Sequence, residues 1–271
     1  MCRWLAYSGP RILLSSLILA PENSLIRQSR AALQGASSTN GDGFGIGWYD
    51  SRPQPGLFRD TLPAWNDENL CNLSEQVSSG LFLAHVRAST GTTTSRANCH
   101  PSCHDRWLFM HNGVIGNFEQ VRRSITLAID PLYFPRLQGN TDSEAFFYLL
   151  LSNGVEKDPE AAFAATVGQV LSIMAEEKVT EPFSMTAALT DGELIYAVRF
   201  SNAQHQPTLY YACGVAPGSA KGEDLKDSSD SILILSEPLD DVEGHWHAVP
   251  ESSMLIAGKG GVAVLPFKAG E

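Results

Sequence analysis

A chain of 271 residues with 43% hydrophobic and 18% charged side chains can bury a substantial core and is not composed like a disordered or fibrous protein. Its formal net charge of −11 argues against partners held through Lys and Arg, so neither nucleic acid nor an anionic membrane surface is expected. Five cysteines (Cys2, Cys71, Cys99, Cys103, Cys213) make an odd set without a dense framework, which points to reduced thiols and a cytoplasmic location.

Residues 4–9 are an apolar run suited to a buried strand. Arg11–Ala20 resembles a signal-peptide core, but two serines interrupt it, and Gly9-Pro10 and Pro21 flank it. It is also too short to span a bilayer, so a strand or loop feeding a helix is expected. Pro21-Glu22-Asn23-Ser24 carries helix-start chemistry ahead of Leu25, with Gly35 as the stop. Asn40-Gly41-Asp42-Gly43-Phe44-Gly45-Ile46-Gly47 then leads into a strand. Its alternating glycines permit positive φ or close backbone approach, and a hairpin turn with a bulge is the plainer alternative. Residues 51–80 read as loop with a short helix near Glu68–Val77.

Leu81–Arg87 is a predicted strand ending in small hydroxylated residues. Trp107–Phe118 reads as a strand, an Asn112-Gly113 turn, and a second strand or helix start. Thr141-Asp142-Ser143-Glu144 opens a helix through Leu151. Pro159 opens a longer one to about Lys178, where Phe163, Val167, Val170, Leu171 and Met174 fall at helical spacing. A hairpin follows, Phe183–Leu189 and Leu194–Phe200 around a two-residue Asp191-Gly192 turn. Further strands are expected at Leu209–Val215, Ile232–Ser236, Met254–Ala257 and Val262–Phe267, with Ala216–Asp230 a mobile surface loop. Strands, then two helices, then strands predict an α+β fold of mainly antiparallel sheet in a single domain, residues 2–271.

Four polar signals stand far apart in this order. If Met1 is removed, Cys2 carries a thiol nucleophile and a free α-amine, with reference pKa values of about 8.5 and 7.7, so the amine can serve as the base. An exposed Asn112-Gly113 turn offers a side-chain N–H and a backbone N–H that can converge on a developing oxyanion. Arg87, at a strand end, can grip a carboxylate through two parallel bonds. Asp142, at a helix start, can accept from an ammonium group. Each has a plainer reading: Cys2 an accident of position, Asn112-Gly113 a simple turn, Arg87 a surface ion pair, Asp142 an N-cap.

Cys2, Gly41-Asp42-Gly43-Phe44-Gly45, His85-Val86-Arg87-Ala88-Ser89-Thr90, Asn98-Cys99-His100-Pro101, His111-Asn112-Gly113 and Thr141-Asp142-Ser143-Glu144 occur in the order seen in the class II glutamine amidotransferases, which are N-terminal nucleophile hydrolases. The resemblance is strong over residues 2–150. The Met-Cys-Arg-Trp-Leu opening and the length are similar to the stand-alone subgroup, which contains the ergothioneine-pathway γ-glutamyl amidohydrolase and the yeast glutathione-degradation amidotransferase subunit.

The resemblance implies a four-layer αββα sandwich of two mainly antiparallel sheets. It implies Cys2 as nucleophile with its own amine as base, and Asn112 with the Gly113 amide as oxyanion hole. Arg87, helped by Thr90, would bind the substrate α-carboxylate, Asp142 the α-ammonium, and His100 would support the pocket. No cofactor and no metal are implied. The substrate would be glutamine or a γ-glutamyl amide, and ammonia would pass to water or to a separate ammonia-accepting or peptidase-like partner protein. Ala88 departs from the bulky aromatic that several members carry after the arginine, which would widen the site.

Two other readings compete. Cys99, His100, Cys103 and His104, with His85 and His111 on neighbouring predicted strands, offer soft ligands for zinc, but their spacing fits no known finger. A non-catalytic regulatory or ammonia-supplying subunit would keep the fold without the activity.

Overall fold

The computed structural model describes residues 2–34, 39–89, 91–203, 207–214 and 230–270. The chain opens with strand β1 (Arg3–Leu13), two short helices, α1 (Ser15–Ile18) and α2 (Leu25–Arg30), and the hairpin β2 (Phe44–Tyr49) and β3 (Gly56–Asp60). Helix α3 (Glu68–Gln76) leads to β4 (Ser78–Val86), and β5 (Ser102–His104) to β6 (Trp107–Val114). Three helices follow: α4 (Phe118–Leu127), α5 (Asp142–Ser152) and α6 (Pro159–Glu176). The chain then forms β7 (Ser184–Thr190), β8 (Ile195–Ser201), β9 (Tyr210–Cys213), β10 (Ile232–Leu235), β11 (His247–Ala248), β12 (Ser253–Gly258) and β13 (Gly261–Pro266).

These strands make two antiparallel sheets. One has the order β11-β9-β10-β1-β4-β2-β3 and the other β13-β12-β8-β7-β6-β5. Side chains on a strand alternate between faces, and that alternation sorts the apolar residues into three cores. Trp4 and Ala6 of β1, Leu81 and Leu83 of β4, and Ile232 and Ile234 of β10 point between the sheets, where they meet Leu108, Met110, Ala188, Ala197 and Leu255. Their neighbours Leu5, Tyr7, Phe82, Ala84, Val86, Leu233 and Leu235 point outward against Leu17, Ile18, Leu25 and Leu70 of α1–α3. Phe109, Met185 and Phe200 leave the second sheet on its outer face and pack on Val121, Phe146, Phe147, Phe163 and Val170 of α4–α6. The result is the expected αββα sandwich. Among the described residues, no helix is long and apolar enough to cross a membrane.

The glycine-rich stretch becomes strand at Phe44; Gly43 just ahead of it takes a φ of 115°, and close approach requires Gly45 and Gly47. A Cβ on Gly45 would sit 2.3 Å from the His100 carbonyl oxygen, and one on Gly47 2.6 Å from Leu108 Cδ1. Both glycines let the segment from Cys99 to Leu108 lie against β2.

The chain-order reading differs from the structure in several places. Asn112-Gly113 is not a turn: both residues lie within β6, opposite Thr186 and Met185. Gly113 takes a φ of 153°, and a Cβ there would fall 2.0 Å from Ser184 O, so the glycine serves strand packing. The hairpin between β7 and β8 turns through Asp191–Leu194 rather than two residues, with Asp191 Oδ1 accepting from Glu193 N and Leu194 N. Helix α2 ends at Arg30, ahead of the expected stop. Helix α4 raises the middle group of helices to three. The edge strands β3, β5 and β11 carried no clear alternation. Gly35 and nearly all of Ala216–Asp230 lie outside the described residues.

Candidate active site

Cys2 immediately precedes β1 and shares the parity of Trp4 and Ala6, so its side chain points toward the space between the sheets. Arg3 pairs with Val86, which places Arg87 beside the cysteine at the same end of the sandwich. Asn112, on the parity of Leu108 and Met110, reaches in from the second sheet and donates Nδ2 to the Cys2 carbonyl at 2.6 Å. The N-terminal turn of α5 closes the remaining side. Together these elements enclose a cavity of about 70 Å³ lined by Cys2, Arg87, Ala88, His100, Asn112, Gly113 and Asp142, among others. Six of the seven expected site residues and Ala88 therefore converge. Thr90, the remaining one, lies outside the described residues, as does Met1.

The Cys2 thiol is held by the residue after Arg87. Its Sγ accepts from Ala88 N at 3.3 Å and lies 3.4 Å from Ala88 O. Burial pushes the thiol pKa up, while the Ala88 amide and the cations of Arg87 and Arg3 act in the opposite direction.

Arg87 is only 4% exposed, and its described partners are neutral oxygens. Nη1 donates to Asp42 O at 3.2 Å, and Nη2 to Thr92 Oγ1 at 2.6 Å and Ser89 Oγ at 3.3 Å. It is not the surface ion pair of the plainer reading. A buried cation without a counter-charge is costly, so this one is suited to a bound anion.

Asp142 is not the N-cap of α5. Thr141 takes that place, its Oγ1 accepting from Glu144 N at 3.2 Å. Asp142 Oδ2 instead accepts from Ile115 N at 2.9 Å, just beyond β6, and Oδ1 from Ser143 N at 2.8 Å. The carboxylate thus ties α5 to the segment after Asn112-Gly113.

His100 packs edge-on against His85, with its Nδ1 3.2 Å from His85 Nε2. His111 Nδ1 meets Ser143 Oγ at 2.7 Å on the outer face of β6. Burial lowers the pKa of all three histidines, reinforced at His85 and His100 by neighbouring positive charge, and His85 falls to about 3. All three line the cavity. Cys99 donates its Sγ–H toward Asp60 O and Ser95 O. Among the described residues, no three His, Cys, Asp or Glu side chains converge to hold a metal.

Three supporting residues were missed in the sequence. Asp42 grips the loop after Arg87, accepting from Ser89 N through Oδ2 at 2.7 Å and donating its own N–H to Arg87 O at 3.0 Å. Its place inside the Gly-Asp-Gly run was the available signal. Asn98 bridges Thr93 O at 2.7 Å and Asn140 Oδ1 at 2.8 Å, joining two loops at the cavity. Glu237 pairs with Arg3, and nothing near it in sequence marks it.

Known proteins resemble this chain over nearly its whole length. The profile of the glutamine amidotransferases class-II matches residues 23–268. The chain is 35% identical over 301 residues to the probable glutamine amidotransferase DUG3 of Saccharomyces cerevisiae, covering 98% of this chain and 84% of that one. It is 26% identical to the gamma-glutamyl-hercynylcysteine sulfoxide hydrolase of Mycolicibacterium smegmatis, covering 98% of this chain and all (100%) of that one. Among solved structures, a glutamine aminotransferase class-II domain protein from Silicibacter pomeroyi superposes with a TM-score of 0.76 at 32% identity, covering 99% of this chain and 100% of that one.

Proposed function

The chain belongs to the class-II glutamine amidotransferases, and from that membership we propose that Cys2 attacks the γ-carboxamide of glutamine or of a γ-glutamyl amide. Once Met1 is removed, the Cys2 amine takes the thiol proton, directly or through one water. The thiolate adds to the carbonyl carbon, and the oxyanion is held by Asn112 Nδ2 and the Gly113 amide. Collapse breaks the C–N bond, the leaving ammonia or amine takes the proton, and a γ-glutamyl thioester remains. Water, deprotonated by the same amine, then releases glutamate and restores the thiol.

Arg87 binds the substrate α-carboxylate and Asp142 its α-ammonium, with Thr90 and His100 completing the pocket. The observation that carries this reading is the buried Arg87 guanidinium, bonded to neutral oxygens, in the cavity that Cys2 also lines. A carboxylate bound there would supply the counter-charge that its described partners do not.

One relative is named an amidotransferase and another a hydrolase, so the nitrogen product passes either to an acceptor on a separate partner protein or to water. Five free cysteines support a cytoplasmic location. The test is a panel of γ-glutamyl amides and peptides assayed against free glutamine. Turnover of substrates with a free γ-glutamyl α-carboxylate, and none of their α-amidated counterparts, is expected. Equal turnover of both sets would overturn the reading.

A further inference from the structure

Glu237, 1% exposed, gathers four donors: Arg3 Nε at 2.9 Å, Asn23 Nδ2 at 3.1 Å, and the backbone nitrogens of Leu33 and Gln34 at 3.0 Å each. The guanidinium held in this way donates Nη1 to the Cys2 carbonyl at 2.9 Å. That same oxygen accepts from Asn112 Nδ2 at 2.6 Å. Two donors, one from each sheet, therefore share the carbonyl of the nucleophile residue.

We propose that Arg3, clamped by Glu237, is a positioning residue that fixes the Cys2 carbonyl and through it the amide of Asn112. The proposal rests on the reading of Asn112 as the oxyanion donor. A side-chain amide has two N–H donors at one end and an oxygen at the other, and a half-turn about its bond exchanges them. With Cys2 O fixed as acceptor, the nitrogen end faces the nucleophile. One N–H is spent on that carbonyl and the second remains for the oxyanion. Were Asn112 to turn over, its own oxygen would oppose the developing negative charge.

Arginine suits this task because its planar fork can hold a carboxylate with one nitrogen and a carbonyl with another in fixed geometry. Arg3 shares the strand parity of Leu5 and Tyr7, which face the outer helices, so its side chain leaves the sheet on the face away from the cavity. It acts through Cys2 and Asn112 rather than on substrate.

The test is a double-mutant cycle of Arg3→Lys and Asn112→Ala, reading kcat and KM for glutamine hydrolysis in the full-length protein, with melting temperatures as a fold control. Lysine can keep the charge pair with Glu237 but cannot span to the Cys2 carbonyl as well. Arg3→Lys is expected to lower kcat about tenfold while KM stays within about twofold, the split of a misplaced catalytic group. Asn112→Ala alone is expected to cost about 10²–10³-fold, and adding Arg3→Lys to it should cost nothing more. If the lysine variant does not fold, the paired Arg3→Gln, Glu237→Gln variant, which removes both buried charges, carries the same expectation. Multiplying losses in the double variant, or an unchanged kcat in Arg3→Lys, would overturn the proposal and leave the Asn112 role standing. An unchanged kcat in Asn112→Ala would overturn both.

Discussion

The amide of Ala88 points at the Cys2 sulfur, 3.3 Å away, so the residue that follows Arg87 also holds the Cys2 thiol. In the proposed reaction, substrate binding at Arg87 and the reactivity of Cys2 are thereby joined through one peptide unit. The Ala88 side chain is small, and a bulky ring there would keep the amide while filling space beside the thiol. Ala88→Phe is therefore expected to lower kcat/KM for γ-glutamyl amides with large leaving amines several-fold more than for glutamine. Competition assays of paired substrates check this, and equal losses would contradict it.

Arg87→Ala removes the cation without disturbing a partner carboxylate. Truncating one side of a buried charged pair in the complex costs about 2–5 kcal/mol, so KM for glutamine should rise by about thirtyfold or more. Arg87→Lys should recover only part of that loss, because an ammonium cannot make two parallel bonds. Steady-state kinetics of both variants on glutamine supply the check.

Gly45→Ala tests the close approach between β2 and the His100 segment. Its Cβ would sit 2.3 Å from His100 O, a backbone atom that cannot step aside alone. Overpacking of this kind costs about 1–3 kcal/mol, and here it also pushes His100 away from His85. A lowered denaturation midpoint together with reduced activity is expected. Gly154→Ala, at a surface glycine with φ of 85° and open space around it, should lose stability without comparable loss of activity.

The buried histidines set a pH dependence of stability. An unfolded histidine takes up its proton near pH 6.5, whereas His85 in the fold resists until about pH 3. Between those values the unfolded chain binds more protons, so their contribution is complete above about pH 6.5 and is lost as the pH falls toward 3. Urea midpoints measured across this range should fall with pH, and His85→Asn should flatten that slope.

The polar residues of the site were legible through the order of six motifs rather than one by one, since each alone had a plainer reading, and Cys2, Arg87, Asn112 and Asp142 do meet in one cavity. Strands β1, β4 and β6 were legible too, and the alternation of side chains along a strand decides which of theirs enter the site. What failed was local inference about glycine. Gly113 looked like a turn residue, yet its missing Cβ serves contact with Ser184, a neighbour 71 residues away in sequence whose approach no local pattern displays. Glu237 was invisible for the same reason, since it meets Arg3 across a separation of 234 residues. Thr141 took the capping role that could have belonged to Asp142, which frees Asp142 to hold the segment after β6.

The claim that Cys2 is the nucleophile of a mature N-terminus is tested most directly by intact-mass and peptide mass spectrometry on protein acid-quenched during glutamine turnover. The account predicts that Met1 is absent and that one glutamyl group is carried as an acyl adduct on the peptide beginning at Cys2, with neither adduct nor turnover in Cys2→Ala. Fully active protein that retains Met1, or undiminished turnover in Cys2→Ala, would contradict it.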